Sequence, residues 1–153
     1  MSLTAFRLSP RSHADRAFSG EGARRWGGRW NPTGIPVIYA SGTLSLACLE
    51  FLAHFASAED APELVSFRLE FDSKWVTVLS ALPVDWREAS APRSTQTLGE
   101  HWWHARTAAV LRVPSVIIPS EENYLLNPSH PDFRHIKIGA AEPFSLDARL
   151  WQR

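Results

Sequence analysis

Apolar and polar positions alternate most regularly at Val65, Phe67, Leu69 and Phe71, which are separated by Ser66, Arg68 and Glu70. Successive strand side chains point to opposite faces, so a period of two predicts a strand with one buried face. Shorter apolar runs predict further strands over residues 6–8, 35–40 and 116–118, and two final ones over 135–139 and 144–146. Pro36 cannot donate to a ladder and confines the start of its strand to an edge or first-residue position. A helix is expected from a Ser41 or Thr43 cap to about Phe55, with Leu46, Leu49 and Ala53 on its apolar side. A second helix is expected over residues 100–112 after Gly99, packing through Trp102, Trp103, Ala109 and Val110. Residues 9–28 read as a loop with one helical turn, 81–97 as a long loop anchored by Trp86, and 121–133 as a turn-rich connection. The pattern predicts a mixed α+β domain with small sheets and few helices, and it contains no repeat or heptad run.

Composition narrows the functions open to such a domain. At 153 residues the chain has the size of one domain, able to bury roughly two-thirds of its unfolded surface. Lysine plus arginine equals aspartate plus glutamate at 16 each, so no net field draws the chain to nucleic acid or an anionic membrane. Lys74 and Lys137 are the only lysines. The arginine bias suits phosphate and carboxylate recognition, and genomic base composition explains it equally well. Cys48 stands alone, which excludes an intrachain disulfide and a cysteine-rich zinc site and fits a reducing compartment. The amino terminus lacks the apolar run of a signal peptide and no stretch is long enough to span a bilayer, so a soluble cytoplasmic protein is expected. The seven tryptophans and eight phenylalanines are read mainly as core, with some at an interface or pocket.

The candidate chemistry gathers between Gly27 and Glu50. Gly27 and Gly28 allow a tight bend beside Arg29, whose guanidinium either holds a pyrophosphate or ribose oxygen or pairs with a surface carboxylate. This is not a dinucleotide-binding fingerprint, because the strand before the glycines and the helix after them are missing. Tyr39 ends a strand and is placed either to stack on a planar ring or to fill the core. Glu50 is flanked by Leu46, Ala47, Leu49, Phe51 and Ala53. It is either a solvated helix-edge residue or a cleft carboxylate able to stabilise developing positive charge. Ser120 follows Pro119 at the end of an apolar run, with no nucleophile elbow around it, which favours a hydrogen-bonding role. Asn123, Asn127 and His130 offer ligand contacts or ordinary Asx turns. His101 and His104 lack an HExxH context, so no metal site is expected.

At these residues the chain resembles the RES-domain family, the toxin half of bacterial Xre-RES type II toxin–antitoxin pairs. The family takes its name from an arginine, a glutamate and a serine, matched here by Arg29 in Gly28-Arg29-Trp30-Asn31, Glu50 in Leu46-Ala47-Cys48-Leu49-Glu50, and Ser120 in Ile118-Pro119-Ser120. Tyr39 in Val37-Ile38-Tyr39-Ala40 and the segment running from Asn123 to Pro131 also fit. The resemblance extends from about Phe6 to Phe144, so residues 1–153 are expected to form a single RES domain. It implies a compact ADP-ribosyltransferase-like domain with two small packed β-sheets and peripheral helices around a cleft for nicotinamide adenine dinucleotide (NAD).

The activity it implies is NAD degradation by hydrolysis or phosphorolysis, with NAD as substrate, phosphate as a possible co-substrate and no metal. A protein ADP-ribosyltransferase is the alternative, and a non-catalytic partner-binding domain a second one. On this resemblance Arg29 holds the ribose or pyrophosphate, Tyr39 stacks on nicotinamide and Glu50 stabilises an oxocarbenium-like state. Ser120 orients Glu50 or a ribose hydroxyl, and Asn123 adds a ligand hydrogen bond. The implied partners are a cognate Xre-type antitoxin, which would carry the DNA contact, and further copies of the chain in a homo-oligomer.

Overall fold

The computed structural model describes residues 1–54 and 61–150. Its longest pairing joins β1 (Ser2–Pro10) and β3 (Leu64–Asp72), antiparallel and in continuous register from Ser2 opposite Asp72 to Pro10 opposite Leu64. The alternating segment forms the middle of β3, with Val65, Phe67, Leu69 and Phe71 all buried. The other edge of β3 carries two short strands, β7 (Lys137–Ile138) and β8 (Glu142–Phe144). Beyond β1 lies β2 (Ile38–Ser41), followed by β6 (Glu122–Leu126), β5 (Val110–Pro114) and β4 (Val76–Val78). All neighbours are antiparallel except β4 and β5.

These strands make one curled, half-barrel sheet, which corrects the expected two small packed β-sheets. The reason lies in β2, which has partners on both edges and joins the two groups of strands side by side. The joint is narrow. β2 matches β6 over four residue pairs but meets β1 at a single one, Phe6 opposite Ser41. Here the strands diverge, and the cleft described below opens beside this joint.

At β5 and β6 the sheet is buried on both faces. Val110 and Leu126 belong to a cluster with Ala5, Ile38, Leu69 and Tyr124. Their chain neighbours Leu111 and Leu125 belong to another, with Trp30, Val37, Trp102 and Val113. A strand covered on both sides reads as a continuous apolar run rather than an alternation. This is why Val110 was expected in a helix, whereas residues 121–133 read as turns because Asn127 and Pro128 follow β6 directly.

Three α-helices are found among the described residues. α1 (Glu21–Trp26) ends at Gly27, which has φ 72°. α2 (Leu44–Leu52) starts at Thr43, one of the two caps expected, whose hydroxyl accepts the Leu46 N–H, and it buries Leu46 and Ala47. The expected end near Phe55 lies outside the described residues. α3 (Arg93–Ala105) begins seven residues before its expected start and stops at Arg106, which adopts a left-handed φ of 55°. Gly99, read as a helix boundary, lies in the middle of α3, where a Cβ would fall on the Trp30 carbonyl oxygen. The glycine serves close approach between helix and loop rather than termination.

Candidate active site

A cleft of about 760 Å³ lies against the β1–β2 joint, lined by Arg7, Gly28, Arg29, Tyr39, Glu50 and Asn123 among others. Four of the five residues to which the family resemblance gives a site role therefore meet in one cavity: Arg29, Tyr39, Glu50 and Asn123. The fifth, Ser120, is exposed in a turn and does not line the cleft.

Glu50 sits near the end of α2 and is held at one oxygen. Its Oε1 accepts from Ser115 Oγ at 2.7 Å and from Asn123 Nδ2 at 2.8 Å. Ser115 is fully buried directly after β5, and its Oγ accepts the backbone N–H groups of Ile117 and Ile118 at 3.1 Å each. Asn123 is the second residue of β6, and its Oδ1 accepts from Ser41 Oγ at 2.7 Å. Every donor in this chain has an acceptor, so both groups on Glu50 are fixed in direction. Both bonds fall on Oε1, which leaves Oε2 as the oxygen able to face a ligand.

The serine beside Glu50 is thus Ser115. The expectation for Ser120 rested on a strand over residues 116–118 with a serine at its end. The strand runs over Val110–Pro114, so the same reasoning on the true strand leads to Ser115. We expect Ser115→Ala to cost about 1–3 kcal/mol, since it leaves two buried N–H groups and one carboxylate lone pair unpaired. Ser120→Ala should fall within about 0.5 kcal/mol of wild type. Urea unfolding of the two variants checks both values.

Arg29 is placed by its neighbours rather than by its own loop. Its carbonyl accepts from the buried Thr95 Oγ1 at 2.6 Å, and the Gly28 carbonyl accepts from Gln96 Nε2 at 3.0 Å, both from the first turn of α3. The guanidinium donates to the carbonyls of Trp86 at 3.1 Å and Ala89 at 3.4 Å. It forms no ion pair among the described residues, so its charge remains uncompensated at the cleft wall.

The Tyr39 hydroxyl points away from ligand chemistry. It donates to Asn31 Oδ1 at 2.6 Å and accepts the Trp30 N–H at 3.1 Å. Asn31 is fully buried and its Nδ2 donates to the carbonyls of Ala23, Pro32 and Ile35. Tyr39 therefore clamps the arginine loop onto β2, and burial raises its pKa above the usual tyrosine value. A Cβ on Gly28 would stand 2.6 Å from this hydroxyl, which explains the glycine before Arg29. Tyr39→Phe is expected to strand the Trp30 N–H and the Asn31 carbonyl, costing about 1–3 kcal/mol and loosening the loop. A lowered denaturation midpoint at unchanged m checks this.

Arg7 was not singled out in the sequence, where Phe6-Arg7-Leu8 reads as an ordinary strand. It is half-buried, and desolvation pulls its pKa down to about 10, which keeps it charged at neutral pH. Nε donates to the Ala17 carbonyl at 2.7 Å and Nη1 to the Tyr39 carbonyl at 2.8 Å, bridging the diverging strands. It forms no ion pair among the described residues, so the cleft presents a second cation to an anionic ligand. Among the described residues, no group of three or more His, Cys, Asp or Glu side chains is arranged to hold a metal, and no helix is long and apolar enough to cross a membrane.

The sequence that builds this cleft matches a known family. The RES domain matches residues 4–147. The chain belongs to the RES domain family. Toxin Res of Yersinia enterocolitica is 34% identical over 97% of this chain and 99% of its own length. The Prs ADP-ribosylating toxin of a Sphingobium species is 37% identical over 86% of this chain and 85% of its own. The NAD(+) phosphorylase MbcT of Mycobacterium tuberculosis is 30% identical over 71% of this chain and 63% of its own. The fold is shared with the crystal structure of the M. tuberculosis MbcT–MbcA toxin–antitoxin complex, at TM-score 0.76 and 20% identity, over 99% of this chain and 87% of that one.

Proposed function

We propose that this RES domain is an NAD-degrading toxin that breaks the bond between nicotinamide and ribose. The observation that carries the reading is Glu50, tethered through Oε1 by Ser115 and Asn123 and open at Oε2, in a cleft with Arg7 and Arg29. A dinucleotide brings a pyrophosphate and a cationic nicotinamide ring. The two arginines suit the first, and the Tyr39 ring face suits the second. As nicotinamide leaves, positive charge develops on the ribose, and a carboxylate fixed before the reaction stabilises that charge without reorganising. Ser115 and Asn123 hold Glu50 in place, one of the two roles, with orienting a ribose hydroxyl, that the resemblance implies for Ser120.

Relatives described as an NAD(+) phosphorylase and as an ADP-ribosylating toxin support both the substrate and the bond. They differ in what captures the ribose carbon. Hydrolysis or phosphorolysis is the leading reading here, with phosphate as co-substrate in the second case. Transfer to a protein is the alternative. A toxin of this kind is paired with a cognate antitoxin, and we propose an Xre-type one that carries the DNA contact of the pair, with the toxin forming a homo-oligomer. The test is mass spectrometry of NAD incubated with the purified chain, with and without phosphate. Free ADP-ribose, ADP-ribose phosphate or a labelled protein names the acceptor, and intact NAD under all conditions rejects the proposal.

A further inference from the structure

His54 lies one helical turn beyond Glu50, just past the end of α2, and lines the same cleft. Its Nδ1 is 2.8 Å from the Glu50 carbonyl oxygen. A carbonyl oxygen only accepts, so Nδ1 must carry a hydrogen. In the neutral ring this bond fixes the tautomer and makes Nε2 the nitrogen with the basic lone pair. The bond also ties the ring to the residue whose carboxylate faces the reaction, so both are placed by one turn of backbone.

The other ionisable side chains lining the cleft are Arg7, Arg16, Glu21, Arg29, Tyr39 and Glu50. The arginines are cations without a basic lone pair at neutral pH. Tyr39 is kept protonated by burial, and Glu21 is paired with Arg24 at 2.9 Å. Glu50 is committed to the developing charge. Among these side chains that leaves His54 Nε2 as the uncommitted basic lone pair in the cleft.

We propose that His54 is the catalytic base for water in this cleft, an inference that rests on the NAD-cleaving reading. The bond between ribose and nicotinamide breaks, and its electron pair leaves on neutral nicotinamide. The water oxygen forms the new bond to the ribose carbon. Its surplus proton passes to His54 Nε2 and from there to solvent. Dianionic phosphate attacks through an oxygen that bears no proton and needs no base. It needs cations instead, and Arg16 lines the same wall. His54 therefore serves hydrolysis and is dispensable for phosphorolysis.

The test compares wild type, His54→Asn and His54→Ala by nicotinamide release across pH, in phosphate-free buffer and in saturating inorganic phosphate. Asparagine places an amide N–H where Nδ1 stood and keeps the bond to Glu50, but it supplies no base. Both variants should melt and bind NAD as wild type does. Phosphate-free release should fall about 10²-fold in each. Phosphate should bring both within a few-fold of wild type, and free imidazole should restore hydrolysis to His54→Ala.

Wild-type rates in the variants without phosphate would overturn the proposal. So would equal losses with water and phosphate, or a wild-type enzyme that releases nicotinamide only with phosphate. A wild-type chain that leaves NAD intact in both buffers overturns the NAD-cleaving reading itself, and the role of His54 with it.

Discussion

Glu50→Gln is expected to bind NAD with near wild-type affinity and to turn it over about 10²–10³ times more slowly, the loss typical when a preorganised electrostatic group is removed. That factor corresponds to about 3–4 kcal/mol of transition-state stabilisation. The fold should tolerate the change because the amide oxygen can accept the same two bonds, from Ser115 Oγ and Asn123 Nδ2. The amide nitrogen then occupies the place of Oε2. An anion opposite the developing positive charge is replaced by a neutral group with its positive end toward the ribose. On the proposed reading ground-state binding rests on Arg7 and Arg29, so the loss should fall on kcat rather than on affinity. Mass spectrometry of NAD loss, with calorimetric binding and a thermal melt of the same sample, separates the three quantities. A folded variant with unchanged turnover removes Glu50 from the chemistry.

Local chemistry was more legible in the sequence than topology. The Thr43 cap and the alternating β3 follow from short-range signals, and the grouping of Arg29, Tyr39, Glu50 and Asn123 follows from the family resemblance; the structure brings those four side chains into one cleft. The single sheet was not legible, because the edge-to-edge joint depends on β2 meeting β1 through only one residue pair. Nor were the positions of β5 and α3. Leu111 and Val113 face a second core whose existence depends on Trp30 and Trp102, which lie far away in the chain. Without that core, Val110 is as good a helix residue as a strand residue. Ser115 and Arg7 were missed for related reasons, since a serine gains meaning from the strand that ends before it and an arginine from the burial around it. The turn-rich look of Asn127 and Pro128 hid β6 in a similar way. Its five residues end at Leu126, immediately before those turn formers.

Gly99→Ala gives the sharpest contrast between local preference and tertiary packing. In the middle of a helix, glycine is about 1 kcal/mol less favourable than alanine, so propensity alone expects this change to stabilise the protein. The structure predicts the opposite sign. The new methyl would fall on the Trp30 carbonyl, a backbone atom that cannot rotate away, so α3 and the arginine loop must separate. Overpacking of this kind costs about 1–3 kcal/mol, and a helix displaced from main chain belongs at the upper end. The net loss should be about 2 kcal/mol, equivalent to roughly 4–8 °C in Tm for a domain of this size. Function should suffer as well, because Thr95 and Gln96 on the same helix hold the Arg29 and Gly28 carbonyls at 2.6 and 3.0 Å. Separation weakens both bonds and frees the guanidinium from its position, so NAD affinity should fall even where the variant is fully folded. Calorimetric unfolding and NAD titration at a temperature well below Tm measure the two effects separately. A Gly99→Ala protein that melts above wild type would mean that propensity outweighs the contact and that α3 does not hold the arginine loop.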